Sequence, residues 1–518
     1  MREYKTHTIF NFNLNDNIRF YCNEYKINNP SVKPSVCQLP LHNGALKGLH
    51  LNLTCLNINM SNFVKGSSEM RRIIKNLSSI QIIMFAFLLV IVIGSILLSL
   101  PISSVNGKSV PYVDALFTAT TATCVTGLVT VPTVSAWSIF GQIVILLLIQ
   151  IGGLGVITVV AGMMIILQRK ININDKIIIS DSFNLNSIGG IVKFVKKVIL
   201  LTFIIELAGA LLYMIVFVPE FGIKGIWVSV FTSVSAFCNA GIDIISENSL
   251  CGYTLNPIIN ITTIILIISG GIGFVVIFDL IRLRGNKKRK GLKFLSLHSK
   301  IALSLTAFLI FFGTVFIFIF EYNNPDTLGG YTFFEKIMVA LFQSVTLRTA
   351  GFASIAQECI TDASAFVSII LMFIGGSPAG TAGGIKTVTF FVLLAGTFSV
   401  IKNKRTIDVF NRQISTEILK RSVAVFAVSL LTVIGSTILL IIFNGGEFID
   451  ILYETVSATA TVGLSRSYTS SLNTMGKIII TLTMYLGRVG PISLAFAFSV
   501  NKSKENLIEN PVEEISVG

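Results

Sequence analysis

Four short stretches of the chain run into glycine in the same way. They are Thr123-Cys124-Val125-Thr126-Gly127-Leu128, Phe237-Cys238-Asn239-Ala240-Gly241-Ile242, Arg348-Thr349-Ala350-Gly351-Phe352 and Ala460-Thr461-Val462-Gly463-Leu464. Their glycines recur at spacings of 114, 110 and 112 residues. A near-constant period is the mark of a repeated structural unit. The chemistry open to such turns is that of the backbone. Carbonyls at the end of a short helix are unpaired and carry the negative end of its dipole. Glycine lets the turn take conformations closed to other residues. Four such turns can ring a cation with oxygens that replace its hydration shell. The candidate cation-contacting residues are Val125, Thr126 and Gly127; Cys238, Asn239, Ala240 and Gly241; Thr349, Ala350 and Gly351; and Thr461, Val462 and Gly463. Helix packing by small residues explains single glycines, but not four matched segments.

Each stretch closes a modestly apolar segment that starts alike: Leu116-Phe117-Thr118, Val230-Phe231-Thr232, Leu341-Phe342-Gln343 and Leu452-Tyr453-Glu454. These segments are rich in Ser and Thr and too short to cross a bilayer. The hydroxyls can bond to backbone carbonyls and brace the turn. A long apolar run lies on either side of each. The runs cover about 80–100 and 136–168, 198–218 and 256–281, 301–320 and 364–401, and 422–443 and 476–500. About 20 helical residues span the ~30 Å of hydrocarbon. The repeating unit is span, half-span, span. Irregular backbone is tolerated at membrane depth only where it is buried or lines a water-filled path, so the half-spans must meet around one. The predicted fold is an all-α membrane protein of four tandem helix–pore loop–helix units, in pseudo-fourfold arrangement around one ion pore. The units cover 70–190, 191–298, 299–415 and 416–501, followed by a cytoplasmic tail, 502–518. Residues 1–69 are polar and Asn-rich and hold no span; a disordered extension, or a start assigned too early, is expected there.

Composition agrees. The 518 residues are 53% hydrophobic and 13% charged, with mean hydropathy +0.78; soluble domains carry about 25% charged residues. The formal charge of +14 would suggest nucleic acid in a soluble protein. Here the basic residues sit in short loops between apolar runs, which excludes that partner. By the positive-inside rule those loops are cytoplasmic. The outer segments lean acidic, with Asp114, Asp243, Glu247, Asp326, Glu358, Asp362, Glu447 and Asp450, an arrangement that would concentrate cations. The 7 cysteines form no CxxC and the 4 histidines join no catalytic group. No enzyme chemistry, protein-bound metal or resident cofactor is expected. Gly152-Gly153-Leu154-Gly155 and Gly270-Gly271-Ile272-Gly273 superficially match dinucleotide loops, but no strand precedes them.

The second spans hold further candidates. Glycine follows each turn at 152, 270, 375 and 487, and the next position is Gly153, Gly271, Gly376 and, in the fourth unit, Arg488. Charge inside a membrane is costly and usually functional. A cation facing a pore lined by glycines would repel other cations; the plainer alternative is that Arg488 snorkels or pairs with an acid. The third second-span is broken by Gly375, Gly376, Ser377, Pro378, Ala379, Gly380, Thr381, Ala382, Gly383 and Gly384, which cannot continue a helix. A mobile gate in the exit path is expected there. Lys386 closes the segment and is placed to tether it to an acid or a carbonyl. Glu206 is an acid within a span, with no partner assignable from sequence.

These motifs together resemble the Trk/Ktr/HKT potassium transporter superfamily, most closely its Ktr membrane subunit. The resemblance covers about 70–518 and rests on the four turns, on Gly375–Thr387 and on Gly487-Arg488-Val489-Gly490-Pro491. It implies uptake of K⁺ through a selectivity filter holding the four glycines, with an arginine at the place of Arg488 lining the pore. It also implies a homodimer with one pore per subunit, set among membrane lipid in a bacterial-type cell membrane. A cytoplasmic ring of nucleotide-binding subunits, docked beneath, would control opening. Trk-type relatives carry extra spans before the first unit, and residues 1–69 contain none, so the Ktr type fits better. Leu347 and Ala353 stand where Pro and Asn are more usual, which bears on selectivity. K⁺ is the expected cargo; a requirement for Na⁺ is left open. The alternative is a Na⁺-conducting or K⁺/Na⁺ symporting relative, though Na⁺-preferring members often have Ser at the place of Gly127. Secondary transporters more often show inverted repeats, and these repeats run parallel.

Overall fold

A backbone in hydrocarbon must satisfy its own hydrogen bonds, so long apolar runs become helices. The computed structural model describes residues 78–167, 172–182, 189–285 and 291–490, and three short strands nearer the N-terminus. Those strands, β1 (His7–Asn11), β2 (Arg19–Asn23) and β3 (Val36–Gln38), pair antiparallel in that order. The expectations for 1–69 and for 502–518 otherwise fall outside the described residues.

The helices follow the repeat. The first unit holds α1 (Ser79–Ser99), α2 (Tyr112–Cys124), α3 (Ile139–Leu154), α4 (Val156–Ile166) and α5 (Ile173–Ser182). The second holds α6 (Ile191–Phe221), α7 (Lys224–Cys238), α8 (Pro257–Gly271) and α9 (Phe274–Gly285). The third holds α10 (Leu297–Glu321), α11 (Phe333–Thr346), α12 (Asp362–Phe373) and α13 (Thr387–Ile401). The fourth holds α14 (Thr416–Phe443), α15 (Phe448–Ala460) and α16 (Thr474–Val489). In every unit the first long helix after the glycine turn starts on a side-chain cap: Ser138, Asn256, Thr361 and Asn473 each accept a backbone N–H of the first turn. Such caps satisfy donors that a helix start leaves unpaired.

The first helix of each unit, α1, α6, α10 or α14, is long and apolar enough to cross a bilayer unbroken. Leu89, Phe311 and Leu431 on these helices are exposed, as lipid-facing residues must be. The expectation of an unbroken second span fails in the first two units. Helices α3 and α4 meet at 94° and α8 and α9 at 99°, so the described residues hold four crossing helices, or up to six if each bent pair counts once. Glycine supplies the reason. Gly155 and Gly273 stand at the breaks with φ of 84° and 90°, a backbone that an α-helix cannot contain. A wholly helical chain was also too simple. Ile407–Val409 (β4) and Arg412–Ile414 (β5) form a hairpin between the third and fourth units. Its two-residue turn, Phe410-Asn411, has φ of 49° and 59°; positive φ at both positions matches the twist of paired strands.

The four short helices are buried along most of their length, and their packing closes a cycle. Helix α3 of the first unit packs on α7 of the second, α8 on α11 of the third, α12 on α15 of the fourth, and α16 on α2 of the first.

Candidate functional site

Each short helix ends in one backbone pattern. Val125, Asn239, Thr349 and Thr461, two residues before each glycine, take left-handed φ of 56°, 60°, 65° and 51°. The glycines then take φ of 103°, 63°, 81° and 97°. For non-glycine residues this region is strained by about 1–2 kcal/mol, so four at matched positions mark a shape the surroundings impose.

The turns meet. A Cβ built on Gly127 would lie 2.5 Å from the Ala240 carbonyl oxygen, and one on Gly241 would lie 2.7 Å from that of Ala350. One on Gly351 would lie 2.6 Å from that of Val462, and one on Gly463 would overlap that of Thr126. Each glycine therefore faces the carbonyl preceding the next glycine, and the fourth returns to the first. The contacts of the Thr126, Ala240, Ala350 and Val462 oxygens with the four glycines thus close a ring. Cys238 stands apart: it is the last helical residue of α7, and its thiol turns to Glu206 Oε1 at 3.8 Å.

Side-chain hydroxyls fix the turns, in three of them through N–H groups and in the third unit through a carbonyl, as the sequence suggested. Thr121 Oγ1 accepts the Gly127 N–H at 2.9 Å, Ser457 Oγ that of Gly463 at 3.0 Å, and Ser235 Oγ that of Ile242 at 3.1 Å. They take up N–H groups rather than carbonyls. The third unit has valine at the matching place; there Thr346 Oγ1 donates to the Phe352 carbonyl at 2.6 Å. Thr121, Ser235 and Ser457 belong to the hydroxyls expected to brace the turns, but their shared place six residues before the glycine was not read from the sequence. Thr121→Val leaves the Gly127 N–H buried and unpaired. It is expected to destabilise the protein by about 1–3 kcal/mol, read as a lower unfolding temperature in detergent; an unchanged temperature would mean that this brace is dispensable.

Beneath the ring, a Cβ on Gly152, Gly270 or Gly487 would overlap the carbonyl of Thr123, Phe237 or Thr459. Each of those carbonyls lies four residues before its glycine, so only glycine lets the second helix approach. The third unit departs, and Gly375 packs instead on Gly383 within its own loop.

That loop, residues 374–386, is folded rather than slack. Ser377 N donates to the Gly271 carbonyl at 2.9 Å, Thr381 N to that of Gly270 at 3.1 Å, and Phe274 N to that of Ala379 at 2.9 Å. Thr381 Oγ1 donates to the Phe237 carbonyl at 3.2 Å, and Gly383 N to Thr349 Oγ1 at 3.2 Å. Lys386 Nζ donates to the Ala382 carbonyl at 2.6 Å. Arg488, near the end of α16, forks: Nη1 donates to the Thr381 carbonyl at 2.6 Å and Nη2 to that of Gly152. Arg488 thus joins the third unit's loop to the first unit's second helix.

Two further readings change. Glu206 accepts from Gln150 Nε2 at 3.3 Å as well as from Cys238. The outer acids are partly neutralised: Lys477 pairs with Asp114 at 2.6 Å, and Arg466 with Asp362 at 3.1 Å and Asp450 at 3.3 Å. Burial pushes the Asp243 carboxyl up to about 6. These segments are therefore less negative than their count of acids implies.

A multi-pass helical membrane protein whose four short buried helices bring their glycine turns together belongs among cation transporters. The TrkH family, described as a cation transport protein, matches residues 63–509, and the chain belongs to that family. It is 39% identical over 439 residues to Ktr system potassium uptake protein B of Bacillus subtilis (strain 168), covering 85% of this chain and 96% of that one. It is 37% identical over 457 residues to potassium/sodium uptake protein NtpJ of Enterococcus hirae, covering 86% and 99%. The crystal structure of the potassium transporter TrkH from Vibrio parahaemolyticus shares the fold, with a TM-score of 0.64 at 17% identity over 80% of this chain and 84% of that one.

Proposed function

We propose that the protein takes up K⁺ across the cell membrane through a single path, around which its four units stand in pseudo-fourfold arrangement. The closed ring of the Thr126, Ala240, Ala350 and Val462 carbonyls against the four glycines carries this reading. Such oxygens replace water around an ion. Their spacing is held by the hydroxyl braces rather than by the ion, so the ring is prepared before the ion arrives. The relatives named for potassium, and glycine rather than serine at 127, favour K⁺. A second reading, K⁺/Na⁺ uptake by the same path, has in its favour the relative named for potassium and sodium.

The loop from Gly375 to Gly384 is the gate, with Arg488 and Lys386 holding it beneath the filter. Two forces keep the path shut: the loop fills it, and the guanidinium repels cations. The basic inter-unit loops and the C-terminal tail face the cytoplasm. There the protein, as a homodimer embedded in lipid, docks a separate nucleotide-binding ring. The hairpin of β4 and β5, flanked by Lys404 and Arg405 and bearing exposed Arg412, offers that ring a handle on α13, the second half of the gated span.

In a bacterium lacking its own K⁺ uptake, the protein should restore growth at low external K⁺, more fully with a nucleotide-binding partner subunit. Protein present in the membrane without rescue in either case overturns the K⁺ reading. Rescue only with added Na⁺ favours the second.

A further inference from the structure

One buried cation has no part in the filter or gate roles above. Arg348 follows Leu347, the C-cap of α11, and is 6% exposed. Among the described residues no carboxylate lies in ion-pair range of it. Its Nη1 donates to the Ile374 carbonyl at 2.8 Å. Ile374 is the C-cap of α12 and the head of the loop, where carbonyls are unpaired and the helix dipole is negative. The next residue, Thr349, accepts the N–H of Gly383 at the loop's far end. Those ends are also zipped to each other: Ile374 and Ile385 form a parallel bridge, and Gly376 N donates to the Gly383 carbonyl at 3.3 Å. Two consecutive residues of the third turn therefore grip both ends of the loop. A guanidinium buried without a carboxylate is costly; the contact it makes here is the only compensation in view among the described residues.

The geometry points to Arg348 as a positioning residue that couples the third turn to the loop. It holds the head of the loop closed, and when the loop leaves, the turn loses its hold in return. This rests on the filter and gate reading above. Its consequence is that ion preference depends on whether the gate is open. By linkage the coupling is reciprocal: K⁺ in the third turn biases the loop as strongly as the loop biases K⁺ binding.

The test is K⁺ flux and K⁺/Na⁺ preference in liposomes without the partner ring. Arg348→Gln is expected to raise flux about tenfold, the scale of one lost charge-assisted hydrogen bond, and to lower K⁺ preference in the same protein. Arg348→Lys, which keeps the charge, should move both readouts less. Thr349→Val removes the grip on Gly383 and should move both in the same direction. Valine is tolerated in this backbone, since Val125 holds the matching place with φ of 56°. A purely structural arginine would shift preference alone, and a plain latch would shift flux alone; either outcome overturns the coupling. Should Arg348→Gln fail to insert, parent-level flux and preference in both Arg348→Lys and Thr349→Val overturn it as well. Arg488→Ala separates the two readings. Raised flux there, with none in Arg348→Gln, sinks the coupling and spares the gate. Parent-level flux in both Arg488→Ala and a deletion of residues 377–380 sinks the gate.

Discussion

Gly241→Ser is expected to lower the preference for K⁺ over Na⁺ by at least about tenfold, equivalent to about 1.4 kcal/mol. A Cβ at 241 would stand 2.5 Å from Gly351 Cα and 2.7 Å from the Ala350 oxygen. Both neighbours are backbone atoms of the third turn, so no rotamer relieves the overlap, and the ring must widen. Widening favours ions that keep part of their water. The residue also sits at φ of 63°, which carries its own strain. Gly107 separates the two effects. It has the same φ of 63°, and nothing lies within 4 Å of a Cβ built there. Gly107→Ser should therefore share the backbone strain and leave ion preference intact. Competition uptake of K⁺ against Na⁺ in cells decides the matter. Equal behaviour of the two variants would remove the ring from the argument.

Removing the fork of Arg488 should have the second large effect. Arg488→Ala is expected to raise partner-free K⁺ flux about ten- to a hundredfold, since each hydrogen bond from a charged group contributes roughly 1.5–3 kcal/mol. Arg488 holds two carbonyls on different units, those of Thr381 and Gly152. Lysine offers a single ammonium and cannot reproduce a planar fork, so Arg488→Lys should release the loop in part while still repelling cations. The loop's other anchors, the Gly270 and Gly271 carbonyls, limit what one substitution achieves. Deleting residues 377–380 removes the segment that bonds Gly271 through Ser377 and should open the path further. Flux from K⁺-loaded liposomes orders the variants; parent-level flux in both Arg488→Ala and the deletion would move control to the filter or the dimer contact.

What the sequence determined by itself is the repeated unit and the place of its turns. The pattern at three of the turns is local, running from a brace at 121, 235 or 457 to a glycine six residues on, so the chain's own neighbours specify it. The long first helices and the break at 375–384 were legible for the same reason: hydrophobicity and helix-breaking residues act over a few turns. Gly155 and Gly273 stood in view within their Gly-Gly motifs, yet their bends were not foreseen, because a glycine permits a positive φ without requiring it. At Gly273 the third unit's loop requires it: a Cβ there would meet the Pro378 carbonyl, and Phe274 N bonds Ala379 where α9 leaves the axis of α8. Only the tertiary structure decided the partners of Arg348, Arg488 and Glu206, and the pairing of Asp114 with Lys477, which lies 363 residues away. A buried charge is stabilised by whatever carbonyl or countercharge the fold brings within about 3 Å. Sequence spacing holds no record of that distance once the units close on one another.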